Sequence, residues 1–483
     1  MALQLLILAL SVSTSFAQSQ GSTHEGCIHL PIVHSTNQQA FGKRAVQFSL
    51  ANRSDVAYYA KRRPNPPFGR ARKEKVELGT PPQPQFVQLD TGSFELWVNP
   101  TCSTAGSFGD AGFCSSVGNF DTAKSSTFQS IGTTKSLRYG IGSANITYVK
   151  DDIALPGSSS ILKAVQFGVA TATEDEFSGI LGIGYGLGLT TRYRNFVDEL
   201  AAQNVTRVKA FTLALGGKDE QEGVIVFGGV DTSKFAGRLA RLPIIPAAQS
   251  PDGVPRYWVA MQSMTLTPPS LRRKTYSNST MPVFLDSGST LTLLPTALVA
   301  AVAADFGATT QDSSGFYSVD CALTKVNGTL DFAFEGVTVR VPYKEIIRQS
   351  GNQCVLGIMP NPDFVLLGDT FLRSAYVIFD LDNHAVWMTQ YTNCGSSPAA
   401  VNDSKAFPSL IGTCNLQKAA VNDAASSSSV STGTPTTVST GGAAGGAASP
   451  SRSSTVSAAG TVTPRRQASI FALAIVVAVG VVS

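Results

Sequence analysis

The chain contains one pattern twice. Residues 86–93 read Phe-Val-Gln-Leu-Asp-Thr-Gly-Ser, and residues 283–289 read Val-Phe-Leu-Asp-Ser-Gly-Ser. Each is an apolar run that ends in Asp, a hydroxyl residue, Gly and Ser: Asp90-Thr91-Gly92-Ser93, then Asp286-Ser287-Gly288-Ser289. A second pair follows in the same order, Ile180-Leu181-Gly182 after the first and Leu366-Leu367-Gly368 after the second. The aspartates are 196 positions apart and the glycines 186. Two spaced signatures repeated in register predict two lobes of similar architecture, and 483 residues leave room for both.

The residues between the signatures favour strands. Val224–Phe227, Val337–Val341 and Tyr376–Phe379 are β-branched or aromatic runs bounded by Gly, Pro or Asp. Helical candidates are few: Asn195–Gln203 and Leu294–Phe306, the second with Pro295 where a first turn tolerates it. Charged residues make up 14% of the chain against roughly 25% in an average soluble protein. That excludes a charge-laced coiled coil and an acidic disordered chain. The expected fold is all-β with a few short helices, bilobal, with a cleft between the lobes.

The net charge of +4 is unevenly placed. Residues 41–75 carry ten Lys/Arg and two Asp/Glu, whereas 76–395 carries 22 basic and 28 acidic residues. The basic character sits outside the body, which argues against nucleic acid as a partner.

Two Asp-Thr/Ser-Gly loops that meet at a lobe boundary can do specific chemistry. Glycine lets the backbone approach closely, and the hydroxyl can bond across to the partner loop. Asp90 and Asp286 then lie side by side, where both cannot ionise cheaply, so the pair holds one proton. One carboxylate acts as general base toward a water; the other, protonated, polarises a carbonyl and protonates the leaving nitrogen. The outcome is amide hydrolysis without metal or cofactor. Four histidines, three of them before residue 35, leave no raw material for a His-based metal site in the body.

The ends of the chain carry addresses. Leu3–Leu10 is a short apolar run, and Ser15-Phe16-Ala17 fits a small-x-small cleavage site, so 1–17 reads as a secretory signal. Lys43-Arg44 and Lys61-Arg62-Arg63 are candidate processing sites. At the other end, 396–460 reads as a Ser/Thr/Ala/Gly-rich stalk. Small residues at 457–460, a polar spacer and an apolar tail from Ile470 fit a glycosylphosphatidylinositol (GPI) attachment signal at 461–483, with a short tail anchor as the alternative. Six sequons, at Asn52, Asn145, Asn204, Asn278, Asn327 and Asn402, agree with secretion.

On these motifs, and on Leu78-Gly79-Thr80-Pro81-Pro82-Gln83 upstream of the first aspartate, the chain resembles the pepsin-like aspartic proteases over about residues 74–395. The resemblance implies lobes at 64–250 and 251–395, with Asp90 and Asp286 catalytic. Thr91, Gly92, Ser93, Ser287, Gly288 and Ser289 would support the two loops. Tyr139-Gly140-Ile141-Gly142-Ser143 resembles the flap that closes over substrate, and Trp97 matches the tryptophan that the flap tyrosine hydrogen-bonds. Phe177 and Ile180 fall where the family binds substrate. Cys321–Cys354 resembles the second-lobe disulfide, and Cys102–Cys114 would close a small loop. Cys394 and Cys414 could pair, which leaves Cys27 over.

The combination of signals resembles the GPI-anchored fungal yapsin branch. It implies a propeptide at 18–44, removed by a kexin-like protease after Arg44, with removal to 63 as the alternative. It also implies a monomer tethered by a GPI lipid to the outer face of the plasma membrane or the cell wall, acting on peptide or protein substrates. Glu174-Asp175-Glu176 could favour basic residues beside the cut, or be a solvated loop. The rival reading of the whole chain is a non-catalytic surface binding protein on the same fold. Both Asp motifs stand intact here, which favours the enzyme.

Overall fold

In the computed structural model the described residues are 26–34, 57–59, 76–99 and, apart from short breaks, 118–414. The signal segment, Arg44, Asn52, the 61–63 cluster, Cys102 and Cys114, Ile141, Phe177 and the residues after 414 lie outside them.

The repeat in the sequence is a repeat in the sheets. Val87–Asp90 is buried at every position and runs parallel to Gly179–Gly182, with Asp90 opposite Gly182. Gly179–Gly182 pairs on its other side, antiparallel, with Leu96–Val98. In the second half Met281–Leu285 runs parallel to Leu366–Leu367, which pairs antiparallel with Thr292–Leu294. Each aspartate thus leaves the end of a buried strand whose parallel neighbour is the apolar-apolar-Gly run. Strands buried on both faces read as apolar runs, as Val283-Phe284-Leu285 does; the first signature is interrupted by Gln88, whose side chain is also buried.

Glycine is needed where those strands are crossed. A Cβ at Gly182 would meet the backbone of Phe94 and Glu95, and one at Gly368 would meet the carbonyls of Ser289 and Leu291. A side chain there would push the loop beyond the aspartate away from its neighbour.

The two halves share strands. Ala210–Ala214 pairs antiparallel with Ala375–Asp380, with Phe211 opposite Phe379 and their rings stacked 4.7 Å apart. Glu222–Phe227 lies beside Ala210–Ala214, and Ile28–His34 is added to its outer edge. The strand Ile28–His34 belongs to the segment read as propeptide. Here it buries Ile28, Leu30 and Ile32 in the main core.

The expected helices form at Phe196–Ala202 and Thr296–Asp305. Asn195 caps the first, and Asp198 bonds back to complete a capping box. Pro295 is the residue just before the second helix, one position outside its first turn.

Residues 396–414, read from composition as the start of a stalk, are packed on the body. Pro398–Ala400 pairs with Gly229–Asp231, and Ile411–Thr413 pairs with Ala236–Arg238. Val401, Phe407 and Cys414 are buried there. Residues 396–414 hold apolar side chains at intervals that the small-residue count did not weigh, so this part of the segment read as stalk is folded. Cys394–Cys414 closes this extension, Cys321–Cys354 is bonded as expected, and Cys27 is buried as a free thiol. Asn145, Asn204, Asn278, Asn327 and Asn402 are all exposed.

Candidate active site

The two Asp loops meet and clasp each other. Thr91 Oγ1 donates to the Leu285 carbonyl at 2.9 Å and accepts from Ser287 N at 2.9 Å. Ser287 Oγ does the mirror image: it donates to the Leu89 carbonyl at 2.9 Å and accepts from Thr91 N at 3.2 Å. All four bonds are buried and join residues nearly 200 positions apart. The hydroxyl after each aspartate is therefore a crosslink. A buried hydroxyl without a partner is costly, so the reciprocal arrangement fixes both loops at once.

The clasp brings the carboxyls together. Gly92 N donates to Asp90 Oδ1 at 2.8 Å, and Gly288 N donates to Asp286 Oδ1 at 2.9 Å. Each glycine also lies beneath the opposite carboxyl. A Cβ at Gly92 would stand 2.5 Å from Asp286 Oδ1, and one at Gly288 would run into Asp90 Oδ1. Beyond this the two loops differ. Ser93 Oγ donates to Asp90 Oδ2 at 2.5 Å, while Ser289 Oγ turns to the Leu291 carbonyl at 2.8 Å. Gln88 Nε2 adds a cross-loop bond to the Gly288 carbonyl at 2.8 Å.

The surroundings of Asp286 favour its neutral form. Burial, then the charge of Asp90, hold its carboxyl well above the usual carboxylate range, against opposing pulls from Gly288 N–H and the Arg256 guanidinium. One oxygen pair with one shared proton is an acid and a base at one point, which is what amide hydrolysis by water needs.

The residues read as a flap lie at the end of a hairpin. Gln129–Arg138 and Ser143–Ala154 form an antiparallel hairpin whose tip turns at Tyr139–Gly142. Trp97 Nε1 donates to Tyr139 Oη at 2.7 Å. Gly140 has open space around its Cα. Ile180, by contrast, is 2% exposed and packs in the cluster behind Trp97 with Ala144, Ile146 and Tyr148. Glu174, exposed, ends the strand Ile161–Glu174, while Asp175 and Glu176 lie outside the described residues.

Three features of the site stand outside the sequence motifs. Glu95 is buried, with its oxygens held by Lys135 Nζ and Tyr148 Oη from the two flap strands, each at 2.6 Å. Burial and the Glu95 carboxylate push the Tyr148 phenol well above its ordinary range. An acid between Phe94 and Leu96, two positions before Trp97, is the signal that could have found this pair. Gln88 and Arg256 carry no such local mark. Among the described residues, no group of three or more His, Cys, Asp or Glu is placed to hold a metal.

Comparison with known proteins agrees with this geometry. The sequence profile described as eukaryotic aspartyl protease matches residues 73–391. A probable aspartic-type endopeptidase of Aspergillus oryzae is 34% identical over 332 residues, 64% of this chain and 66% of that protein. Secreted aspartic protease 8 of Candida albicans is 34% identical over 329 residues, 66% of this chain and 76% of the relative. Candidapepsin-3 of Candida albicans is 34% identical over 341 residues, 67% and 81% of the two chains. With both Asp loops, the clasp and the flap inside the matched region, the chain belongs to the eukaryotic aspartyl protease family, the family of the aspartic-type endopeptidases.

Proposed function

We propose that the chain is a secreted endopeptidase that cleaves peptide bonds in acid through the Asp90–Asp286 dyad. The observation that carries this is the pair of carboxyls held against each other's glycines, with Asp286 driven to keep a proton beside Asp90. Asp90, which accepts from Gly92 N and Ser93 Oγ, takes a proton from the attacking water. The water oxygen bonds to the substrate carbonyl carbon as Asp286 gives its proton to the carbonyl oxygen. The C–N bond then breaks as Asp90 gives its proton to the departing nitrogen and a hydroxyl of the tetrahedral intermediate returns its proton to Asp286, so one proton is again left on the pair.

Around this centre the other roles follow the sequence. Thr91, Gly92, Ser93, Ser287, Gly288 and Ser289 support the loops. Tyr139 and Gly140 belong to the closing flap, and Trp97 holds Tyr139 by its indole N–H. Extracellular placement accords with the exposed sequons and with relatives named as secreted. Attachment by a GPI lipid, at the membrane or in the wall, rests on the C-terminal residues of the sequence. Removal of residues 18–44 by a kexin-like protease at Arg44 would cut the strand Ile28–His34 from the body it pairs with. A preference for basic residues beside the cut rests on Glu174 and its two acidic neighbours.

The test is a mixed peptide library offered to the secreted, tail-less protein across roughly pH 3–7, with Asp286→Asn alongside. Cleavage strongest in acid and absent from the variant is expected, with Lys or Arg enriched at the cut sites. Activity that survives in the variant would overturn the dyad. Cut sites without basic enrichment would remove only the specificity proposal.

A further inference from the structure

Arg256 precedes the strand Trp258–Met261, which pairs with the strand leading to Asp286. Its side chain crosses to the other Asp loop. One Nη donates to the Gly92 carbonyl, and Nε donates to Asp252 Oδ2 at 2.7 Å. The guanidinium lies 5.4, 5.3 and 5.8 Å from the ring centres of Phe94, Phe284 and Phe364. Three rings around one guanidinium exclude water from its faces and orient it, as cation–π geometry favours. Asp252 is itself fixed by Val254 N at 3.0 Å and Trp258 Nε1 at 3.1 Å.

The Gly92 peptide is an unusual place to be held. Its N–H donates to Asp90, its Cα lies beneath Asp286, and its carbonyl accepts from Arg256. A shift of this one residue moves the donor of one carboxyl and the floor of the other. A planar, always-charged fork fixed by Asp252 and three rings suits that task better than lysine would.

We infer that Arg256 is a positioning residue of the dyad, holding the Gly92 peptide from the opposite half of the chain and setting the pH above which the shared proton is lost. This rests on the endopeptidase reading above. Among the described residues the charges acting on Asp286 are Asp90 from the facing loop and Arg256. The rings packed on Arg256 carry no ionisable group, and Asp252 is the carboxylate bonded to it.

The sign is fixed. The positive charge pulls the Asp286 carboxyl down from where burial and Asp90 hold it. Its removal lets the dyad keep its proton to higher pH. Neutralising Asp252 frees more of the positive charge and acts the other way.

The experiment measures kcat/KM against pH for the full chain and for Arg256→Met, Arg256→Lys and Asp252→Asn, with unfolding midpoints at each pH. Arg256→Met should move the alkaline limb up by about 0.5–1 pH unit, the scale of an opposite charge near a carboxyl. Arg256→Lys should keep the limb in place while lowering kcat, because the fork to Gly92 and Asp252 is lost. Asp252→Asn should move the limb down. An Arg256→Met profile lowered uniformly, with the limb unmoved, would overturn the inference and leave Arg256 a packing residue. Should Arg256→Met not fold, Asp252→Asn decides: a lowered limb supports the inference and an unmoved one overturns it. If the parent chain shows no acid cleavage abolished by Asp286→Asn, it is the endopeptidase reading that fails.

Discussion

At the scale of single residues, the clasp shows why Thr and Ser follow the two aspartates. Thr91 is 1% exposed and Ser287 is fully buried, and each hydroxyl both donates and accepts across the loops. Thr91→Val keeps the shape and removes both bonds. It should destabilise the fold by about 1–3 kcal/mol, because Ser287 N and the Leu285 carbonyl are left buried without partners. Thr91→Ser, which keeps the hydroxyl, should restore most of the loss; chemical denaturation of the three proteins measures it. Equal stability of Val and Thr would mean that the loops are held by packing alone. This part of the site was legible, since Asp, hydroxyl and Gly in sequence carry their chemistry locally. Arg256 and Gln88 were not, because the bond that ties each to the opposite Asp loop goes to a backbone carbonyl far along the chain, which leaves no trace in the motif.

At the scale of elements, the flap hairpin is tied down at two levels. Trp97 holds the tip through Tyr139, and buried Glu95 holds the strands through Lys135 and Tyr148. Trp97→Phe keeps the aromatic packing and removes the indole N–H. It should raise KM several-fold with a smaller change in kcat and little change in unfolding midpoint; an unchanged KM would separate the flap tyrosine from substrate closure. The strands were legible where apolar runs were long, as at Val224–Phe227 and Tyr376–Phe379, which form within Glu222–Phe227 and Ala375–Asp380. The element that composition hid is the C-terminal extension. Phe407 and Val401 are single apolar residues among Ser, Asn and Ala, and only the pairing of Pro398–Ala400 and Ile411–Thr413 shows that they pack.

At the scale of the whole molecule, two similar halves share strands through Ala210–Ala214 and Ala375–Asp380 and bring two carboxyls into a site where neither half alone is complete. That arrangement costs stability. The Asp286 carboxyl is raised in the folded state, so folding binds its proton more tightly than the unfolded chain does. Stability from this group is therefore full below the ordinary value of 3.8 and is lost as pH climbs through the raised one. Asp286→Asn should unfold at a higher temperature than the parent near neutral pH, with the gap closing in acid; a gap independent of pH would contradict the raised carboxyl. The most direct measurement of the central claim is kcat/KM on one good peptide from roughly pH 2 to 8, for the parent, Asp90→Asn and Asp286→Asn. The dyad predicts a bell with an acid and an alkaline limb in the parent and loss of turnover in both variants. A rate that climbs steadily to neutral pH, or turnover that survives in either variant, would contradict it.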